Sequence, residues 1–337
     1  MRMSTLTTEE DATERGTLMI DRDELDECVE MGGVIDAIEE AFVAYESGDA
    51  VMPPKTYVDL PEENGDFRAM PAYVDGAAGL KWVNVHPDNP EKYGLPTVMG
   101  VVIYSDPETA YPLAIMDGTK LTRYRTGAVG GVASRHLAPP DASSLGLLGA
   151  GEQARAQLEA ISSAVDLDRV VVTDLDERAV ADLCEKETGR ADEVVAGSPR
   201  EVAGCDVIST TTPSTEPILK REWLDEGTHI NAMGADAEGK QELDPHIIED
   251  AAVVVDDWEQ CSHSGEINVA VAEGRLARTD VHADLSEVVS GTRDAPTDEL
   301  TIFDSTGLAI QDVATARLIY ETAEEQGAGY AFDLVGT

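Results

Sequence analysis

The sequence predicts an α/β protein that combines a Rossmann dinucleotide-binding domain with a second α/β domain built from both ends of the chain. The Rossmann domain is predicted by an apolar run, a glycine turn, a helical pattern and a second apolar run over residues 144–174. The second domain is predicted by Pro- and Gly-rich β-like runs before this unit and one amphipathic helix after it. That helix cannot extend a finished Rossmann sheet, so we expect it to fold back on the N-terminal part.

The N-terminal part begins with a tail that we expect to be acidic and mobile over residues 1–16. Hydrophobic periodicity then predicts a short strand and a helix that ends at Gly48. Short β-like runs and a second helix lead to the Pro139–Pro140 link into the Rossmann unit. The strands are expected at residues 17–20, 56–60, 67–73, 80–85 and 98–104, and the helices at 33–47 and 119–137.

The glycine turn of the Rossmann unit reads G-x-G-x-x-A at Gly149, Gly151 and Ala154. Gly149 permits the tight turn, Gly151 lets the backbone approach a pyrophosphate, and Ala154 lets the helix lie close to the strand. The helix N-terminus then offers free N–H groups to the phosphates. Asp174, which follows Gly149 by 25 residues, can accept hydrogen bonds from a ribose hydroxyl and would repel a 2′-phosphate. An ordinary glycine turn in an α/β protein is the alternative.

Helical and strand patterns alternate after Asp174, and several strands end in polar residues. In an open parallel sheet, ligands bind outside the carboxyl edge, so these polar ends predict a site. The helices are expected at residues 178–187 and 309–326, and the strands at 206–212, 228–233, 252–255 and 300–303. The polar ends are Asp174 and residues 210–212, 234–236 and 304–307.

The chain has 337 residues with 67 acidic and 24 basic side chains, which gives a formal net charge of −43. Such a charge argues against nucleic-acid binding, and its even spread is typical of a salt-adapted, cytoplasmic protein. A run of about 18 apolar residues is absent, so no membrane helix is expected. The N-terminus lacks the apolar region of a secretory signal. The four cysteines show no C-x-x-C spacing, which favours free thiols in a reducing compartment.

Basic residues are scarce, so those in apolar surroundings are candidates for chemistry. Lys81 alternates with Leu80 and Trp82 in a strand-like run, where burial would lower its pKa and suit it to acid–base work. An arginine can hold a carboxylate with two hydrogen bonds. Structural ion pairs are the favoured alternative for these residues, because acidic partners are present throughout the chain. The candidates are Arg68, Lys81, Arg123, Arg125 and Lys240.

Asp236 follows Gly234 at the end of a predicted strand, where it would face a nicotinamide and the reacting carbon. The six histidines have no paired spacing, so we expect no metal site. A G-x-S-x-G turn and a Walker loop are both absent from the sequence.

Together, these segments resemble the ornithine cyclodeaminase/μ-crystallin family from about residue 17 onward. The motifs that carry the resemblance are R-A-M-P-A-Y at 68–73, L-K-W-V-N-V-H-P-D-N-P at 80–90, G-L-P-T-V-M-G at 94–100, R-T-G-A at 125–128, G-A-G-E-Q-A at 149–154, T-T-T-P at 210–213, I-N-A-M-G-A-D-A-E-G-K-Q-E-L at 230–243 and D-S-T-G-L-A-I-Q-D-V-A at 304–314. Within the family, three stretches most resemble archaeal alanine dehydrogenases. They are H-P-D-N-P-E-K, G-E-I-N-V-A-V and F-D-S-T-G-L-A-I-Q-D-V.

The resemblance implies a homodimer whose discontinuous α/β domain binds substrate and forms the dimer. Residues 1–138 would form its first part, residues 139–307 the Rossmann domain, and residues 308–337 the returning helix. Lys81 would be the catalytic acid/base, Arg68 would hold the substrate carboxylate, and Asp236 would lie at the nicotinamide and the substrate nitrogen. The expected NAD-binding residues are Arg125, Thr126, Gly149, Gly151, Glu152, Gln153, Asp174, Leu175, Asp176, Thr211, Gly234, Ala235, Asp236, Lys240 and Ser305.

The resemblance further implies NAD-dependent, reversible oxidative deamination of L-alanine to pyruvate and ammonia. The expected partners are therefore a small amino acid or 2-oxo acid and ammonia, with neither nucleic acid nor membrane. Conversion of ornithine to proline is the first alternative, since the same oxidation can be followed by ring closure. A ketimine reductase and a non-enzymatic NAD(P)H-dependent binding protein are further alternatives, because members of the family share the catalytic set.

Overall fold

The computed structural model describes residues 16–336, which form two β-sheets with helices packed on them. The fold class is confirmed as mixed α/β. Of the tail expected at residues 1–16, only Gly16 lies within the described residues. Within that part of the chain, none of the helices is long and apolar enough to cross a bilayer.

Residues 17–137 form seven strands and four helices. The predicted strands and helices of this part are all present, most of them one to three residues longer than expected. Helix α2 ends at Gly48 in the left-handed conformation, at φ 83°. The elements are β1 Thr17–Ile20, α1 Arg22–Glu27, α2 Met31–Ser47, β2 Ala50–Val51, β3 Thr56–Leu60, β4 Gly65–Val74, β5 Ala77–Val85, α3 Asn89–Tyr93, β6 Val98–Ser105, β7 Pro112–Asp117 and α4 Gly118–Leu137.

Residues 144–304 form a second, all-parallel sheet with the strand order β10-β9-β8-β11-β12-β15-β13-β14. The strand predicted at 206–212 is shorter, because its polar end forms a loop along the carboxyl edge. The elements are β8 Ser144–Leu148, α5 Glu152–Ala164, β9 Arg169–Thr173, α6 Glu177–Lys186, β10 Glu193–Ala196, α7 Pro199–Val202, β11 Val207–Thr210, β12 His229–Ala232, α8 Pro245–Asp250, β13 Ala252–Val255, α9 Trp258–Ser264, α10 Asn268–Ala272, β14 Ala283–Asp284, α11 Leu285–Val289 and β15 Thr301–Asp304.

The last two elements, α12 (Ala309–Gln326) and β16 (Tyr330–Phe332), return to the first sheet. Helix α12 packs on α2, β4 and β5, and β16 pairs antiparallel with β1. The order of that sheet is β16-β1-β7-β6-β5-β4-β2, with β3 also paired to β4. The domain boundaries at residues 138 and 307 stay a prediction.

The first sheet has two different faces. Helices α2, α4 and α12 cover one face, onto which β5 directs the Lys81 side chain, 1% exposed. The opposite face carries Trp82, 38% exposed, directly across from Ala69 and Val101 in the neighbouring strands. Phe67 stacks on Trp82 with ring centroids 5.1 Å apart. The face without helices is therefore apolar and open among the described residues.

Helix α4 joins the two sheets, because it packs on α2 at one side and on α5 at the other. Gly127 allows the close approach: a Cβ there would lie 2.6 Å from the Ala156 carbonyl oxygen. This contact holds the middle of α4 against the first two turns of α5, the helix that follows the glycine turn.

Candidate active site

A cavity of about 450 Å³ lies where the carboxyl edge of the parallel sheet meets the helix-covered face of the first sheet. We call it the cation-lined cavity, because eight of the chain's 24 lysines and arginines line it, against two carboxylates. The cations are Arg22, Lys55, Arg68, Lys81, Lys120, Arg123, Arg125 and Lys240, and the carboxylates are Glu152 and Asp236. In a chain of net charge −43, this concentration makes the cavity a local site for anions.

Lys81 is the most deeply buried of these cations. Its Nζ donates to Asp312 Oδ1 at 2.8 Å and to Thr122 Oγ1 at 3.4 Å. Burial lowers the pKa of Lys81 to about 7, and Arg125 adds to the effect, while Asp312 opposes it. The amine can therefore exchange a proton near neutral pH, as the sequence-based assignment as acid/base requires.

Asp312 lies on α12 and is fully buried. Its Oδ1 also lies 3.1 Å from Arg125 Nε, so one carboxylate is shared by two cations. Arg125 Nη1 further donates to Gln311 Oε1 at 3.3 Å. Sequence reasoning missed Asp312, because one acid among 67 gives no signal; its place on the buried stripe of α12 was the available clue.

Arg68 and Asp236 meet across the cavity. Arg68 donates to the Asp66 carboxylate at 2.9 and 3.0 Å, and its Nη1 lies 3.7 Å from Asp236 Oδ2. The other Asp236 oxygen accepts a short hydrogen bond from Lys240 Nζ. The structure thus brings the predicted clamp, the predicted nicotinamide-side acid and Lys240 together.

Lys55 also lines the cavity, and sequence reasoning missed it. Its Nζ donates to the Thr306 carbonyl at 2.9 Å and to Thr306 Oγ1 at 3.3 Å. Burial lowers its pKa to about 8. The residue follows Pro53 and Pro54, so the segment shows no strand periodicity. The signal that could have identified it was a lysine beside a predicted strand in a lysine-poor chain.

The glycine turn has the local geometry that a phosphate site needs. Gly149 has φ 115°, and a Cβ there would lie 2.5 Å from Thr211 Oγ1. Gly151 caps the N-terminus of α5, and a Cβ there would have nothing within 4 Å, so the space in front of the helix is open. Open space before the free N–H groups of a 13-residue helix suits a pyrophosphate.

Asp174 is exposed and has backbone partners. Its Oδ2 accepts from Ala150 N at 2.8 Å, and its Oδ1 accepts from Asp176 N at 2.9 Å. The carboxylate therefore tethers the glycine turn, which sequence reasoning did not anticipate. Leu175 beside it is fully exposed. The ribose-binding role of Asp174 stays a prediction.

The cation-lined cavity gathers eleven of the predicted site residues and leaves six outside its walls. Inside are Arg68, Lys81, Arg125, Thr126, Glu152, Gln153, Thr211, Gly234, Asp236, Lys240 and Ser305. Outside are Gly149, Gly151, Asp174, Leu175, Asp176 and Ala235, the last of them buried. Ser305 reaches the cavity while its hydroxyl donates to Asp256 Oδ2 at 2.7 Å.

Comparison with known proteins finds the same architecture in several enzymes. Residues 15–327 match the ornithine cyclodeaminase/mu-crystallin family. The chain is 49% identical to an alanine dehydrogenase of Archaeoglobus fulgidus over 93% of this chain and 97% of that protein. A solved archaeal alanine dehydrogenase dimer with bound NAD superposes with a TM-score of 0.91 at 48% identity, covering 94% of this chain and 99% of that chain. The Δ¹-pyrroline-2-carboxylate reductase of Thermococcus litoralis, solved with NADH and L-proline, superposes with a TM-score of 0.89 at 34% identity, covering 94% and 100%.

The geometry around Lys81 predicts that Asp312→Asn lowers the pKa of Lys81 further below its ordinary value. The substitution removes the negative charge that favours the ammonium form while leaving burial unchanged. Competitive acetylation at a series of pH values, read by mass spectrometry, reports the pKa of the lysine directly. Asp26→Asn, which removes the partner of Lys120 at the cavity rim, is the matched control and leaves the Lys81 titration unchanged. If the Lys81 titration is unchanged in Asp312→Asn, Asp312 is not the group that favours the ammonium form of Lys81.

Proposed function

Since the chain belongs to the ornithine cyclodeaminase/mu-crystallin family, we propose that it is an NAD-dependent alanine dehydrogenase. In the reaction, L-alanine, water and NAD⁺ are converted reversibly to pyruvate, ammonium, NADH and a proton. The glycine turn, with open space before α5, fits the pyrophosphate of the dinucleotide. When bound, the dinucleotide would supply the acceptor for the hydride of the substrate Cα.

The observation that carries this proposal is the charge of the cation-lined cavity. Both of its carboxylates already face cations: Asp236 lies against Arg68 and Lys240, and Glu152 lies 3.7 Å from Arg123. A substrate with one carboxylate and one reacting nitrogen meets complementary partners there. The distal ammonium of ornithine would enter among cations without a free anionic partner, which disfavours a cyclodeaminase.

The residues of the chain divide the work as follows. Arg68 and Lys55 bind the substrate carboxylate, which fixes the orientation of Cα–H and makes the transfer effectively unimolecular. Neutral Lys81 takes a proton from the substrate ammonium or from the water that attacks the iminium carbon. Asp312 stabilises the protonated side chain of Lys81 that results. Asp236 positions water or ammonia at that carbon.

A substrate panel tests the proposal. We expect alanine with NAD⁺ to yield NADH, and pyruvate, ammonia and NADH to give the reverse reaction, while ornithine yields no proline. If the protein forms proline from ornithine but no NADH from alanine, ornithine cyclodeaminase becomes the favoured function in place of alanine dehydrogenase. Faster reduction of a cyclic imine carboxylate, which carries one carboxylate and one nitrogen as well, would assign the protein to the reductases. Tight NADH binding without turnover would make it a binding protein.

We also propose that the protein is adapted to a salt-rich cytoplasm, since counterions screen the repulsion within a chain of net charge −43. All four cysteines lie within the described residues and are free, which agrees with a reducing compartment. The panel is therefore run at low and at multimolar KCl. Activity that falls as KCl is raised contradicts this part of the proposal.

Lys81→Ala should abolish turnover and leave NADH affinity within about threefold, because Lys81 lies on the first sheet, away from the glycine turn. The measurements are kcat and the dissociation constant of NADH. Lys92→Ala, which removes a lysine 57% exposed, is the matched control and keeps full activity. If Lys81→Ala retains more than about a tenth of wild-type kcat, a cost under ~1.4 kcal/mol, the acid/base assignment is wrong.

NAD(H) should be preferred over NADP(H) by at least about tenfold in kcat/KM, because a 2′-phosphate would meet Asp174, Asp176 and Glu177. The nearest cation along the chain, Arg178, lies in α6. Side-by-side assays in multimolar KCl measure the ratio. Asp174→Ala should reduce the ratio of kcat/KM for NAD to that for NADP, mainly by raising KM for NAD. Glu177→Gln should change this ratio less than threefold. Equal efficiencies of the wild type would mean that Arg178 turns inward and that Asp174 is not the ribose ligand.

A homodimer should form through the open apolar face of the first sheet, the face of Phe67, Trp82 and Val101. Burying this face against a second copy removes apolar area from water. Light scattering after size exclusion should give twice the monomer mass for the wild type and the monomer mass for Trp82→Asp. Tyr93→Asp, at an exposed aromatic outside that face, remains dimeric. A dimeric Trp82→Asp would place the interface elsewhere.

A further inference from the structure

Glu242 is a fully buried carboxylate that lies behind the cation-lined cavity and does not line it. It follows β12 and the loop that carries Asp236 and Lys240. We propose that Glu242 is a positioning residue that fastens the loop after β11, residues 211–213, to the loop after β12, residues 233–236, and thereby shapes the coenzyme end of the cavity. The inference rests on the proposed function in one respect only, which is that we call this end of the cavity the coenzyme end.

The contacts of Glu242 with the first loop are short and use one oxygen. Glu242 Oε1 accepts from Thr212 N at 2.7 Å and from Thr212 Oγ1 at 2.6 Å. Thr212 and its neighbours Thr211 and Pro213 line the cavity. Because the carboxylate accepts hydrogen bonds from both the backbone N–H and the hydroxyl of Thr212, it fixes the backbone and the side chain of that residue.

The second oxygen lies against the other loop. A Cβ on Gly234 would lie 2.2 Å from Glu242 Oε2 and 2.5 Å from the Thr212 carbonyl oxygen. Only glycine therefore fits at this position, and its φ is not in the left-handed region, so the requirement is space and not backbone conformation. The two loops and the carboxylate form one closely packed unit.

The backbone of Glu242 is itself held from behind. Glu242 N and Leu243 N both donate to the Glu266 carboxylate, at distances of 2.7 to 3.1 Å. Glu266 N in turn donates to Asp304 Oδ1 at 2.9 Å, at the end of β15. The Glu242 backbone is thus tied through Glu266 to the carboxyl edge of the sheet.

The far end of the second loop has a separate brace. Gly239 N donates to Asn268 Oδ1 at 2.9 Å, and Asn268 Nδ2 donates to the Lys240 carbonyl at 3.0 Å. Asn268 holds one end of the segment that contains Asp236, and Glu242 packs against the other end at Gly234. Loss of the Glu242 contacts would displace Asp236 and widen the coenzyme end, where misplacement by about 1 Å can reduce the rate about 100-fold.

The test compares two substitutions of Glu242 with a matched control. Glu242→Gln turns an amide N–H₂ toward the Gly234 backbone, and Glu242→Asp is one methylene too short to contact both loops. Asp206→Asn is the control, because Asp206 Oδ2 accepts from Ser143 N, Ser144 N and Ser144 Oγ at the opposite edge of the same sheet. The readouts are the dissociation constant of NADH, kcat, the separate KM values for NAD and alanine, and the unfolding temperature.

We expect both Glu242 variants to raise the dissociation constant of NADH at least fivefold, with KM for NAD rising more than KM for alanine. Asp206→Asn should lower the unfolding temperature and leave NADH affinity within twofold. Wild-type affinity in both variants, or an equal loss in Asp206→Asn, overturns the inference. If one Glu242 variant fails to fold, the other decides. A wild type that binds NADH but does not turn over alanine contradicts the proposed reaction alone, since the NADH readout still tests the positioning role of Glu242.

Discussion

The buried ion pair of Lys81 and Asp312 is the constraint on which the rest of the structure depends. A lysine 1% exposed would lose its charge or destabilise the fold without an anionic partner. That partner comes from α12, 231 residues further along the chain. The C-terminal helix must therefore cross the first sheet at β5, and the chain must leave the parallel sheet after β15 to reach it. One ion pair thus links the course of the chain to the position of the Lys81 amine.

The same physics separates the outside of the molecule from its cavity. The surface of a chain with net charge −43 repels anions, yet a dinucleotide and a 2-oxo acid are both anionic. Eight cations around one cavity offset this negative charge locally, where these ligands would bind. Six of these cations lie against at least one carboxylate, as Arg68 does against Asp66, and these contacts fix the orientation of their side chains. The arrangement requires few basic residues, which explains why those in apolar sequence surroundings were informative.

The sequence was sufficient for the architecture of residues 144–173, because the glycine turn and the strand periodicity are local signals. It also predicted five of the eight strands of the first sheet. It missed β2, which has two residues, β7, which begins at a proline, and β16, which has three residues and depends on β1 for pairing. Within the site, the local motifs led to Lys81 and Arg68. Asp312, Lys55 and Glu242 were missed as contributors, because their importance lies in contacts between distant segments and each looks ordinary in its own segment.

The motifs of this family indicate a shared oxidation step, but they do not determine which product forms afterwards. Oxidation at Cα gives an iminium carbon in each of the proposed reactions, and the reaction is then decided by the nucleophile that reaches this carbon. In a cyclodeaminase the nucleophile is the second amine of the substrate. This amine enters the cavity as an ammonium, which an anionic partner would stabilise, and attacks after losing a proton. In this cavity the carboxylates of Asp236 and Glu152 lie against cations, so an internal amine has no such support. Under the proposed function, water would be the nucleophile, with Asp236 positioning it and Lys81 accepting its proton. The deciding features are thus the partners of two carboxylates, which are set by contacts in the fold and cannot be read from a linear motif.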